Sequence, residues 1–104
     1  MILCVQKYDL HPDKRDEFYK WAPSAIQRIL AVPGVVEYRA YRTSIGSNQI
    51  VNTFEFSDMA VCSAWLTNED VIQVTQELYS LALNLNTELW GPTPVVPKPI
   101  RPGG

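Results

Sequence analysis

The chain is poor in the residues that most often carry strong chemistry: one of its 104 residues is histidine and two are cysteine. His11 stands near Asp9 and Asp13, but an i, i+2, i+4 spacing across a strand-to-helix corner does not converge three ligands on one ion. No metal and no cofactor are expected. Cys4 and Cys62 lack a CxxC spacing and fall in apolar segments, so reduced, buried, structural thiols are expected. G-x-G-x-x-G, P-loop, G-x-S-x-G and H-E-x-x-H patterns are missing, which leaves nucleotide, acyl-serine and zinc-protease chemistry without support.

Charge of one sign is also missing. Lys and Arg are scattered singly and the formal net charge is -2, so no basic stripe suits nucleic acid and no polybasic segment suits an anionic membrane. No apolar run approaches the roughly 18 residues of a spanning helix, and Met1-Ile2-Leu3-Cys4-Val5 is too short for a signal peptide. The chain reads as cytoplasmic. With 46% apolar and 19% charged residues, it is expected to build one core, small enough for oligomerisation to help it.

What is present is strong periodicity. Met1 to Leu10 is apolar at both odd and even positions, the mark of a strand covered on both faces. Cys4, Gln6 and Tyr8 share one side of it, and Leu3 and Val5 the other. His11-Pro12-Asp13 opens a helix, with Asp13, Asp16 and Glu17 at its positive end. Phe18, Trp21, Ala22, Ala25 and Ile29 form its apolar stripe. Pro23 interrupts that stripe, predicting a kink or a new segment, and Pro33-Gly34 ends the element.

Val35 to Thr43 and Gln49 to Phe56 read as strands of a hairpin, joined by Ser44-Ile45-Gly46-Ser47-Asn48 with a glycine at positive φ. Ser57 is the expected N-cap of a long helical region to about Asn84, with apolar positions at Ala60, Ala64, Trp65, Val71, Val74, Leu78, Leu81 and Ala82 and a candidate break at Thr67-Asn68. Asn86 to Trp90 is a short last strand. The expected domain therefore spans residues 1–91. Residues 92–104 hold prolines from Pro92 to Pro102 and form an extended tail, free or laid on another surface, with the partner subunit as the expected seat.

This βαββαβ order predicts an α+β, ferredoxin-like fold: a four-stranded antiparallel sheet with two helices on one face. Helices cover only that face, while the first strand is apolar on both. A second copy packing sheet to sheet supplies the cover, so a homodimer through the sheet faces is expected.

The strand followed by Leu10-His11-Pro12, the helix with Phe18-Tyr19, Val32-Pro33-Gly34-Val35, and above all Phe56-Ser57-Asp58-Met59-Ala60 leading to Ala64-Trp65-Leu66-Thr67-Asn68 resemble the dimeric α/β-barrel superfamily. That group includes antibiotic-biosynthesis-type monooxygenases, heme-degrading monooxygenases, polyketide cyclases and stress-responsive barrels. The resemblance covers most of residues 1 to 90 and implies a pocket between helices and sheet. In the heme-degrading branch it sets an amide on strand one, a tryptophan on helix two and a histidine ten residues on. Gln6 and Trp65 stand at positions similar to the first two, and Thr75 stands at the third. The cofactor-free branch steers a phenol with Asn, Trp and Tyr; Trp65 matches, while Val61 and Val71 stand at the other positions.

The candidate ligand pocket comprises Gln6, Tyr8, Trp65, Thr75 and Tyr79. A buried amide such as Gln6 needs a partner, which a ligand or another side chain supplies. Trp65 is a stacking wall or plain core. Tyr8, Tyr38, Tyr41 and Tyr79 offer phenols, with Tyr8 and Tyr79 placed toward the cavity. Arg39 and Arg42, on opposite sides of strand two, bind a carboxylate or pair with Glu37 and Glu55.

The leading expectation is a homodimer binding a small aromatic or lipophilic molecule, as a cofactor-free monooxygenase or cyclase. The alternative is a non-catalytic barrel with a filled interior. An ACT-type domain lacks its glycine turn at Leu10-His11-Pro12-Asp13, and an RNA-recognition module lacks its signature over Ile50 to Phe56.

Overall fold

The computed structural model describes residues 1–46 and 49–103. Its elements are β1 (Ile2–Leu10), a 3-10 turn (Pro12–Lys14), α1 (Arg15–Leu30), β2 (Glu37–Arg42), β3 (Gln49–Phe56), α2 (Met59–Leu66), α3 (Glu69–Tyr79) and β4 (Ala82–Trp90). The strands form one antiparallel sheet in the order β2-β3-β1-β4. This is the ferredoxin-like plan, with a third helix.

Local chemistry explains the boundaries. His11 caps the first turn through its ring, Nδ1 accepting from the Asp13 amide at 3.2 Å. Helix α1 then runs as one element through Pro23, so of the two expected alternatives, a kink or a new segment, the new segment does not occur. The N–H that Pro23 lacks falls on an exposed stretch of the helix.

The long second helical region divides instead. The Thr67 hydroxyl bonds back to the Ser63 carbonyl at 2.8 Å, and the Asn68 side chain accepts from the Asp70 amide at 2.8 Å, capping α3. The N-cap of α2 is Asp58 rather than Ser57, its carboxylate accepting from the Val61 amide at 2.9 Å. Trp65 is buried as expected, but Ala60 and Ala64 are exposed, and Cys62 is the second buried residue of α2.

Strand β4 begins at Ala82, earlier than the expected Asn86, because a bulge opposite Lys7 and Asp9 absorbs the extra chain. Asn84 sits there at φ 56, and its amide donates to Asp9 Oδ2 at 2.9 Å. Gly46 has φ 108, as the hairpin turn predicts; Ser47 and Asn48 of that turn lie outside the described residues. Gly34 is required more strictly. At φ +127, a Cβ would stand 2.9 Å from Val61 Cγ1, so glycine lets the approach to β2 pass close under α2.

Two apolar clusters hold the helices on the sheet. Cys4, Phe54 and Phe56 of the sheet pack with Ala25 and Ile29 of α1, Cys62 and Trp65 of α2, and Val71 and Val74 of α3. Tyr8, Leu10 and Ala82 pack with Phe18, Leu78 and Leu81. Both cysteines are free and buried. Burial pushes the Cys4 thiol up to about 11, with Cys62 nearby adding to the rise, and these are unreactive core groups.

The outer sheet face is partly self-covered. Val5 is 0% exposed in the single chain, standing in register between Thr53 and Glu88. Lys7 reaches Glu88 at 3.8 Å and lies 5.3 Å over the Trp90 ring. Residues 91–100 form no helix or strand and are exposed throughout. Among the described residues no helix is long and apolar enough to cross a membrane.

One polar clasp joins the helices. Arg28 of α1 makes a two-pronged pair with Glu77 of α3, both bonds at 2.8 Å, and Trp21 Nε1 donates to the same carboxylate at 2.8 Å. Arg28 and Trp21 hold the Glu77 carboxyl at about 2, well below its ordinary range. A depressed carboxylate stabilises the fold above its unfolded pKa, and that stabilisation fades as pH falls through the folded value. Glu77→Gln is therefore expected to lower the melting temperature at pH 7, with the gap to wild type closing between about pH 4.5 and 2. Thermal melts across that range test this; a pH-independent gap would assign the effect to packing.

Candidate functional site

Strand parity puts Cys4, Gln6 and Tyr8 of β1 under the helices, as expected. Register then sets Asn52 of β3 opposite Gln6, and Ala40 of β2 opposite Asn52. Ile50, Asn52, Phe54 and Phe56 share the helix-facing side of β3, and Tyr38, Ala40 and Arg42 that of β2. Above them lies a cavity of about 640 Å³, lined by members of both core clusters. The small Ala40 side chain helps leave it open.

Its walls are apolar, with Phe18, Trp21 and Ile29 from α1, Trp65 from α2 and Val74 and Leu78 from α3. Its floor is not. Asn52, 7% exposed, is the buried polar residue of the described structure, and it organises its neighbours. Its Oδ1 accepts from the Tyr38 hydroxyl at 3.2 Å. Its Nδ2 donates to Tyr8 Oη at 3.3 Å and to Gln6 Oε1 at 3.5 Å.

This wiring has a chemical consequence. Tyr8 and Gln6 both act as acceptors toward Asn52, so the Tyr8 O–H and the Gln6 amide N–H groups remain unengaged by protein among the described residues. Both side chains line the cavity. Burial pushes the Tyr8 phenol up to about 12, against the opposing bond from Asn52, and burial also raises Tyr38. Both phenols stay protonated at neutral pH, as donors rather than bases.

The other expected pocket residues differ in what they offer. Trp65 lines the cavity but is 4% exposed, its ring centroid 4.8 Å from Phe54 and 5.4 Å from Phe56. Its Nε1 donates to the Ile29 carbonyl at 3.0 Å, so the indole is core and wall at once, with no free donor. The Thr75 hydroxyl bonds back to the Val71 carbonyl at 2.9 Å, which leaves only its lone pairs for a ligand. Tyr79, 62% exposed, stands at the rim.

Arg39 pairs with Glu37 on its own strand, on the outer face, rather than across the sheet. Arg42 lines the cavity. His11 is engaged as a cap, and no group of three His, Cys, Asp or Glu among the described residues is placed to hold a metal.

Sequence reasoning missed Asn52, and left Tyr38 and Arg42 outside the pocket set. The signal for Asn52 was present: in the alternation Ile50, Asn52, Phe54, Phe56 it is the single polar residue on an apolar face.

The sequence profile of a family described as antibiotic biosynthesis monooxygenase matches residues 1–76. No curated protein matches the sequence. Among solved structures, SnoaB of Streptomyces nogalater, a cofactor-independent oxygenase, superposes with a TM-score of 0.74 at 18% identity, over 93% of this chain and 97% of that one. A Deinococcus radiodurans protein assigned to the antibiotic biosynthesis monooxygenases gives 0.78 at 12% identity over 100% of both chains. A conserved protein of Methanosarcina mazei Go1 gives 0.73 at 18% identity, over 86% of this chain and 89% of that one. At these identities the superpositions establish the fold.

Proposed function

Because the chain belongs to the antibiotic biosynthesis monooxygenase family, we propose that it is a homodimeric, cofactor-free oxygenase acting on an aromatic phenol or enol held between helices and sheet. One observation carries this reading: the free donors of Tyr8 and Gln6, set by Asn52 on the floor of an otherwise apolar cavity. Donors aimed at an oxygen that gains charge are the form of catalysis such a site can supply.

No carboxylate or imidazole stands among the described lining residues, so the substrate brings its own acidity. An acidic CH2 beside a phenol or carbonyl loses a proton to water, and the resulting oxyanion is held by Tyr8 and Gln6. The carbanion carbon passes electrons to dioxygen and forms a C–O bond, and the peroxide takes up a proton. Loss of water from that hydroperoxide leaves a carbonyl. Overall a CH2 and O2 become C=O and H2O, with no outside reductant. The fold likeness to SnoaB supports the reading.

The partner copy is proposed for the outer sheet face, where Tyr41 and Trp90 are exposed and Leu3 and Val51 half-buried. Sedimentation equilibrium should then give twice the 11.8 kDa chain mass.

Oxygen uptake with 1,8-dihydroxyanthrone, corrected for autoxidation, tests the activity. The expected result is one O2 consumed per quinone formed, at a rate proportional to protein. Binding without uptake would leave a binding protein, and no binding would remove the cavity reading itself.

A further inference from the structure

The cavity carries charge at one place only. Among its described lining residues Arg42 is the sole charged side chain, in a molecule whose net charge is -2. Of the other arginines on helices and strands, Arg28 is engaged by Glu77 and Arg39 by Glu37, while Arg15, at the start of α1, lies outside the cavity lining. Arg42 makes no ion pair within the described residues.

Its placement follows from register. Tyr38, Ala40 and Arg42 succeed one another along the helix-facing side of edge strand β2, opposite Phe54, Asn52 and Ile50. Exposure rises along that row, from the half-buried Tyr38 to the exposed Arg42. The guanidinium thus stands toward solvent, while the neutral donors of Gln6 and Tyr8 stand within. Strand geometry puts the Arg42 backbone roughly 8 Å from that of Asn52, two residues along and one strand across.

We infer that the site reads a carboxylate: its ligand is a flat aromatic phenol or enol bearing a carboxylate on the end remote from the ionising oxygen, with that carboxylate on Arg42. This rests on the reading of the cavity as an aromatic site given above. The planar guanidinium matches a carboxylate with two parallel bonds. The apolar walls accept the ring system, and the Tyr8 hydroxyl donates to a second oxygen inside. A cation with no carboxylate beside it in the lining has no internal competitor for the ligand's anion.

Three naphthalenes separate the parts: 6-hydroxy-2-naphthoate, its methyl ester, and 2-naphthol, each titrated by quenching of tryptophan fluorescence. Wild type is expected to bind the acid about tenfold more tightly than the ester. That ratio should shrink when salt is raised from 50 to 500 mM, because an exposed pair is screened. Arg42→Gln should bring the acid down to the affinity of the ester, and Arg42→Lys should keep part of the preference.

A wild-type ratio below about threefold overturns the inference, as does a ratio that salt leaves unchanged. Arg42→Gln keeping the wild-type ratio also overturns it, and the salt series needs no variant to fold. If 2-naphthol and the ester bind as well as the acid, only the role of Arg42 falls. If none of the three binds, the aromatic cavity reading falls with it.

Discussion

Tyr8→Phe is expected to lower kcat toward a phenolic or anthrone substrate by about 10²-fold, the usual effect of deleting one donor from an oxyanion site. The melting temperature should change little. The ring keeps its packing against Phe18, at a centroid distance of 5.9 Å, and Asn52 keeps its bonds to Tyr38 and Gln6. Only the hydroxyl is lost, and with it the donor that faces the cavity.

The pH profile shows which group ionises. With the Tyr8 phenol near 12, the rise in rate with pH belongs to the ionising substrate. It should therefore track the substrate's own pKa in both wild type and variant. A Tyr8→Phe protein with unchanged kcat would remove Tyr8 from the reaction. Asn52→Leu tests the wiring behind it. Loss of the amide that orients Tyr8 and Gln6 should depress kcat more than KM, and the half-buried Tyr38 hydroxyl left without its acceptor should cost about 1 kcal/mol of stability.

Trp65→Ala should cost about 3–5 kcal/mol, the range for deleting a large buried aromatic. In a domain of this size that is a large share of total stability, worth more than about 10 °C in melting temperature. Two contributions combine. The indole packs on Phe54 and Phe56, and its Nε1 holds the Ile29 carbonyl, which lies in the last turn of α1 and has no partner within the helix. Trp65→Phe keeps most of the packing and drops the bond, so an intermediate loss is expected. Urea or thermal unfolding of both variants decides the matter. Full stability in Trp65→Ala would mean that the ring stands free in the cavity as a ligand platform instead of serving as core.

These residues also mark how far the sequence can be read. The parity of β1 placed Gln6 and Tyr8 under the helices because side-chain direction alternates strictly along a strand. The helix stripe of α1 and the turn residues bounding β2 and β3 were legible for the same reason: each is a pattern within a few consecutive residues. Errors fell where several local signals competed. Ser57 and Asp58 both suit an N-cap, and the apolar spacing continued from α3 into β4 through Leu81 and Ala82, so periodicity ran past the true helix end at Tyr79.

By itself, then, the sequence determined the element order, the ferredoxin-like class, the superfamily resemblance, and the side of β1 from which a pocket would be built. Only the tertiary structure decided that Asn52 joins Gln6 to Tyr8 and Tyr38, that Arg42 closes the same row, and that the interior holds a cavity instead of a filled core. The first two depend on the register between strands, which brings residues such as Gln6 and Asn52 together and is set by the whole sheet and its turns. The cavity depends on the summed volumes of side chains from every element that faces it, and no local pattern contains that sum.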